Sequence, residues 1–343
     1  MNAPPDAHLN TLVTSIIGPQ AAAEILDTLD IDVMLSGETG ERVSRAVFAM
    51  ALNAVLFHDI MGRVPLGAAY VAERRAAGSR ILFDHGALRT IHFGHGVTGQ
   101  LPAGQLAFAR ILEPLGYAVA DLYPLDRLKM TGRGYAHLDY PEAIPQFFVS
   151  ELHVDRFTPA FQAAAHRVFD GARDVLGVAA TRALAAFDAE GRADLETATA
   201  ALPQVVAAFD RTHETPRLSD YQALLAESAE AAWIATEGQS FNHATDRVPD
   251  VEAVADAQKA LGRPVKDAVE VSASGRVRQT AFKAQPVERR FLVDDGEVAL
   301  TVPGSFHEFI SRDRFVDEAG VERLDLRFDS SNAQGIFKMT GTG

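Results

Sequence analysis

The heptapeptide FDHGALR at residues 83–89 returns as FNHATDR at residues 241–247. Each copy reads Phe, then Asp or Asn, then His, with Arg four residues beyond the His. The likeness extends past the heptapeptides. Residues 105–115 and 251–261 each carry a helical apolar pattern closing on Leu-Gly, and strand-like runs follow both. The first copy alone inserts a Gly-rich passage, HFGHGVTGQLPAG, ahead of its helix. Self-similarity on this scale points to one supersecondary unit used twice. Two β-α-β-β-β units packed about a pseudo-twofold axis would set their first strands side by side. His85 and His243 would then meet although they are remote in sequence.

The rest of the chain sorts around these two units. Residues 1–78 are expected to be helical, with apolar spacing at 22–29, 43–56 and 68–77. The first unit spans 79–157, with strands in YAVADLY from Tyr117, LKMTGRGYAHL from Leu128 and QFFVSELHV from Gln146. Residues 158–238 are rich in Ala, Leu, Glu and Arg and read as a helical insertion, with helices near 159–175, 193–211 and 218–236. The second unit and a C-terminal segment fill 239–343. Its strand-like runs fall at 265–271, 279–287, 290–293, 298–302 and 306–311, and residues 324–328 are expected to add an edge strand. Asp294-Asp295-Gly296 marks a hairpin. The expected fold class is α+β, two βαβββ-type units forming a curved sheet in one composite catalytic domain.

Composition limits the chemistry. The chain has 343 residues, a formal net charge of −14 and no cysteine. Disulfides, thiolate nucleophiles, Cys-ligated zinc and iron–sulfur clusters are thereby removed, so any metal must sit on His and carboxylates. The acidic balance, with no long Lys/Arg run, argues against nucleic acid and anionic membrane as partners. No basic leader with an apolar core opens the sequence, and no apolar run reaches 18 residues, so a cytoplasmic location is expected.

A third ligand for the two histidines is available in VPGSFHEFISR, where strand alternation puts Glu308 on the face of Gly304 and Phe306 and opposite His307. Two imidazoles and one carboxylate with open positions suit non-haem Fe(II), which can then take a chelating substrate and O2. His92, His95, His137 and His153 are read as structural hydrogen-bonders. Glu151 in FVSELHV is a weaker candidate, as a fourth ligand or as an acceptor behind one. Arg89 lies on the same face as His85 and offers a fork for a substrate carboxylate. Its counterpart Arg247 stands beside Asp246, which suggests a structural ion pair between the two.

Together FDHGALRT, PQFFVSEL, FNHATDRV, RQTAFKAQPVE, VPGSFHEFISR and the C-terminal FDSSNAQGIFKMT resemble the 2-oxoadipate dioxygenase/decarboxylase family, the hydroxyglutarate synthases, over most of the chain. The chain is shorter than the bacterial members. The resemblance implies a fold related to the vicinal oxygen chelate enzymes and an Fe(II) cofactor. It also implies His85, His243 and Glu308 as metal ligands, with Arg89 binding a 2-oxo acid substrate that reacts with O2. The expected conversion is 2-oxoadipate to 2-hydroxyglutarate and CO2. Two other readings stay open on the residues: a Zn(II)- or Mn(II)-dependent lyase, isomerase or hydrolase on the same scaffold, and a non-catalytic small-molecule binding protein. The oligomeric state is not readable.

Overall fold

The computed structural model of the chain describes residue 4 and residues 6–328. Of the FDSSNAQGIFKMT segment only Phe328 falls among them. The N-terminal region holds three main helices, α1 (His8–Thr28), α2 (Arg45–Arg63) and α3 (Pro65–Ala76). The first begins well ahead of residue 22, running through a kink where Gly18 takes φ 78° before Pro19. Ser44 caps α2 by accepting from the Val47 N–H, and Pro65 starts α3. Among the described residues α2 is the one helix apolar and long enough to suit a membrane span. Its residues 46–57 are all buried in the fold, which accounts for that composition.

The first unit follows as β1 (Phe83–His92), α4 (Leu106–Leu112), β2 (Tyr117–Leu125), β3 (Met130–His137) and β4 (Gln146–His153). The insertion folds as α5 (Pro159–Phe169), α6 (Val178–Glu190), α7 (Leu195–Ala207), α8 (Leu218–Leu225) and α9 (Ala229–Glu237). Helix α6 was not expected, and the single helix expected over 218–236 is two. Ser228 separates them because its side chain caps α9, accepting from the Ala231 N–H at 3.1 Å.

The second unit runs β5 (His243–Arg247), α10 (Val251–Ala260), β6 (Glu270–Val271), β7 (Val277–Ala281), β8 (Pro286–Val293), β9 (Gly296–Pro303) and β10 (Phe306–Arg312). Eight strands form one mixed sheet in the order β2-β3-β4-β1-β5-β10-β7-β6. From the central antiparallel β1–β5 pair outward, the two halves have the same order and sense: a parallel neighbour (β4 or β10), then two antiparallel strands. The duplication read from sequence is therefore a duplication of topology.

Strands β8 and β9 pair with each other outside the main sheet, turning at the expected Asp294-Asp295 hairpin, and Leu292 of β8 adds a bridge to Arg217. Phe291 and Val302 of this hairpin pack on Tyr221 of α8 and Ala232 of α9. The expected run at 265–271 is reduced to a Val265–Phe282 bridge and the two residues of β6. Residues Glu322–Leu324 pair with Arg314–Val316 as a separate ribbon, not as a sheet edge. The largest apolar cluster joins α1, α2 and α7 to one face of the sheet, through Phe83, Leu88, Phe147, Phe241 and Phe309 among others. The opposite face carries the candidate site.

Candidate metal centre

Register places the site. Across the central pair His85 faces Thr245 and Ala87 faces His243. Across the next pair Thr245 faces Glu308 and His243 faces Phe306. His85, Thr245 and Glu308 thus form a row over three adjacent strands, with His243 one step along. The ligand atoms of His85, His243 and Glu308 lie within 4.8 Å of one another, and all three residues are buried. His85 Nε2 is 3.4 Å and His243 Nε2 4.0 Å from Glu308 Oε1. The Thr245 hydroxyl donates to that oxygen at 3.1 Å and stands 3.1 Å from His85 Nε2.

The residue before each histidine in the repeat orients its ring. The Asp84 carboxylate accepts from His85 Nδ1 at 2.8 Å, and Asn242 Oδ1 accepts from His243 Nδ1 at 3.2 Å. Fixing the proton on Nδ1 turns the Nε2 lone pair toward Glu308, the arrangement found behind metal-bound histidines. Asp84 is itself fully buried and held by Arg312, through Nη2 at 2.8 Å and Nε at 3.0 Å, and by Arg247 Nε at 2.6 Å.

Charge follows from these partners. Burial opposes ionisation of Asp84, yet Arg312 and Arg247 hold its carboxyl well below the usual range. Burial drives the His243 imidazole down to about 3 against the attraction of Glu308, leaving it neutral and able to ligate. For His85 the same burial is outweighed by hydrogen bonds to Asp84 and Glu308, and its value rises. Glu308 is held low, despite burial, by His243 and His85.

These residues fit a divalent cation. Glu308 Oε2 is buried with no hydrogen-bond partner among the described residues, a costly state for a carboxylate oxygen that a cation would relieve. With a cation displacing the His85 Nε2 proton, two neutral imidazoles and a carboxylate would make the donor set of open-sided Fe(II) and Zn(II) sites. The surroundings are aromatic: Phe306 stacks on His243 at 4.9 Å, and Phe328 meets His85 edge-on at 4.8 Å beside Tyr123 and Phe148.

Arg89 is 1% exposed, and its Nη2 donates to Asn242 Oδ1 at 3.4 Å. A single amide oxygen therefore connects the guanidinium to the His243 ring. Burial lowers Arg89 to about 10, partly offset by the charge of Glu230, so it remains a cation at neutral pH.

One open candidate is settled and one expectation is corrected. Glu151 does not occupy the place of Glu308 in the first unit: Ala87 faces Phe148 where Thr245 faces Glu308, so the counterpart of Glu308 is Phe148. Glu151 is of opposite parity on β4, and it accepts from the Gln105 N–H at 2.8 Å and from Arg133 at 3.2 Å, which rules it out as a fourth ligand. Arg247 pairs with Asp84, not with Asp246. The Asp246 carboxyl accepts instead from the Tyr70 hydroxyl at 2.6 Å and the Leu82 N–H at 3.1 Å.

Thr245, Arg312 and Trp233 were not singled out by sequence reading. Trp233 had one available signal, being the only tryptophan in the chain. A second cluster, His92, His153 and Asp155, lies at the other end of β1 and β4 and is partly exposed. There His92 Nδ1 accepts from the Gly94 N–H at 3.0 Å, which leaves its proton on Nε2, and His153 Nε2 is engaged with Thr131 at 2.8 Å. Hydrogen bonding accounts for that cluster.

The fold and site define a class: an α+β protein with a duplicated sheet and a buried two-histidine, one-carboxylate centre at its middle. The model of the 2-oxoadipate dioxygenase/decarboxylase family matches residues 60–338, and the chain belongs to that family. The 2-oxoadipate dioxygenase/decarboxylase, chloroplastic/amyloplastic, of Oryza sativa subsp. japonica is 25% identical over 292 residues, covering 77% of this chain and 70% of that one. Among solved structures, a protein from Ralstonia eutropha JMP134 assigned to the glyoxalase superfamily is 49% identical. It superposes with a TM-score of 0.88, covering 94% of this chain and 98% of that one. The Oryza sativa hydroxyglutarate synthase in complex with 2-oxoadipate has a TM-score of 0.63 at 23% identity, covering 86% and 93%.

Proposed function

We propose that the protein is an Fe(II)-dependent dioxygenase that converts a 2-oxo dicarboxylic acid of the 2-oxoadipate type, with O2, to the one-carbon-shorter 2-hydroxy acid and CO2. For 2-oxoadipate the product is 2-hydroxyglutarate, with one atom of O2 in its new carboxylate, the other in its hydroxyl, and the substrate's C1 carboxylate leaving as CO2. The observation that carries this reading is the row of His85, Thr245 and Glu308 with His243 beside it, ending in a buried carboxylate oxygen that lacks a protein partner among the described residues. Family membership and the relative bound to 2-oxoadipate support it. We also read the paired βαβββ units as related to the vicinal oxygen chelate fold.

His85, His243 and Glu308 would hold the iron, which when bound supplies the O2 and redox chemistry. The protein's own share is binding and orientation. Arg89, cationic and on the same strand face as His85, would take the distal carboxylate through two parallel hydrogen bonds and so align the carbon chain over the centre. Phe148, Phe306, Tyr123 and Phe328 exclude water around the ligands. Asp84 and Asn242 keep both rings aimed.

The test is anaerobic iron loading followed by an oxygen-electrode screen of C4 to C7 2-oxo acids, with the product identified. Oxygen uptake matched by CO2 and a 2-hydroxy acid, strongest for a diacid, is expected. Turnover with Zn(II) or Mn(II) and no oxygen consumption would overturn the reading in favour of a lyase, isomerase or hydrolase.

A further inference from the structure

The geometry points to Trp233, carried by the helical insertion, as a positioning residue that fixes the Arg89 guanidinium and so makes the site selective for dicarboxylate over monocarboxylate 2-oxo acids. This rests on the proposed role of Arg89 in holding the distal carboxylate. Trp233 belongs to α9 and is 3% exposed. Its ring lies under the guanidinium, 5.0 Å from Arg89 Cζ to the ring centroid. An aromatic face holds a guanidinium through its π surface, which sets the plane of the fork without competing for hydrogen bonds with a carboxylate.

The ring is itself anchored at its far end. Trp233 Nε1–H donates to the Gly304 carbonyl at 3.2 Å, just ahead of β10 and Glu308. One indole thus spans from the substrate arginine to the segment that leads into the carboxylate ligand. The same helix supplies Glu230, 5% exposed, whose carboxylate is fixed by the Ser228 hydroxyl at 2.9 Å and whose charge favours the protonated Arg89. Asn242 Oδ1, just ahead of β5, also receives Arg89 Nη2. The residue that leads into β5 and the insertion therefore both hold the guanidinium. The role of the insertion, on this argument, is to build the wall that recognises the second carboxylate.

Because Trp233 is the only tryptophan, the protein's tryptophan fluorescence reports on this one place. Titrating the anaerobic wild-type protein, with iron and without it, with 2-oxoadipate should give a saturable fluorescence change. The matching monoacid, 2-oxohexanoate, should give none at equal concentration, and Arg89→Lys should lose the response. In steady-state assays Trp233→Leu should raise KM for 2-oxoadipate about thirty-fold, the scale of a desolvated cation–π contact. It should leave iron content unchanged and KM for 2-oxohexanoate within about two-fold. Trp233→Phe, which keeps a ring but loses the N–H, should recover most of the loss.

Equal KM increases for both acids, or none for the diacid, would overturn the inference, as would the absence of any saturable fluorescence response in either metal state. If no 2-oxo acid is turned over yet the diacid alone gives the saturable response, the binding site stands and the dioxygenase reading fails.

Discussion

His85 and His243 show how one side chain can be set by the residue before it. Asp84 and Asn242 occupy the same place in the repeat but differ in charge, and only Asp84 is surrounded by Arg312 and Arg247. Asp84→Asn keeps an acceptor for His85 Nδ1 and removes the charge. It should weaken metal binding about 10- to 100-fold, as loss of an outer partner does, read as the Kd for Co(II) or Fe(II) in an anaerobic titration. Asp84→Ala also leaves the buried Arg312 guanidinium and the partly exposed Arg247 without their carboxylate. It should cost about 3–5 kcal/mol of stability in denaturant melts of metal-free protein. The pattern Phe, Asp/Asn, His was visible in the sequence, but the function of its middle residue was not. Arg312 and Asp84 are 228 residues apart in the chain, and nothing local indicates that they touch.

Among the elements, the central strands leave little room. A Cβ on Gly86 of β1 would run into the Phe241 ring, itself packed against Phe83, Phe147 and Phe209. Gly86→Ala should therefore destabilise by about 1–3 kcal/mol, as overpacking does. Lower thermal midpoints should come with lost metal affinity, because Gly86 adjoins His85. On the insertion, Ser228→Ala removes the cap of α9 and should cost about 1 kcal/mol. The helix that carries Trp233 would loosen, measurable as faster amide exchange over 229–237. Periodicity foretold the two units, the hairpin and most helices. It failed at 218–236, where one polar residue turns a continuous apolar pattern into two helices, and at β8–β9, whose alternation is that of any half-buried ribbon. Which surface covers such a ribbon is decided by α8, not by its own residues.

At the scale of the whole molecule, burial of neutral histidines away from the site predicts an acid-sensitive fold. His137 is lowered to about 4 chiefly by burial, and its Nδ1 accepts from the Asp139 and Tyr140 N–H groups. His213, also lowered to about 4 by burial, donates from Nε2 to the Ala235 carbonyl. Between about pH 6.5 and 4 the unfolded chain takes up protons at both positions while the native chain does not. The stabilisation is thus complete above pH 6.5 and is lost as pH falls toward 4, by up to about 3 kcal/mol for each group. Denaturant melts of metal-free protein at pH 7 and pH 5 should show this slope, and His137→Asn should reduce it.

The sequence by itself determined the duplication, and with it the α+β class, the helical insertion and the identities of His85, His243, Glu308 and Arg89 as a set worth testing together. These are properties of local pattern and of chemistry that the composition leaves available, so they can be read along the chain. Only the tertiary structure decided that Phe148 and not Glu151 mirrors Glu308, that Arg247 serves Asp84, and that Trp233 lies under Arg89. Each of these depends on register between strands or on the docking of a helix from another part of the chain. A shift of one residue in register would carry every side chain to the opposite face of the sheet, and no pattern within a single strand records its neighbour's position.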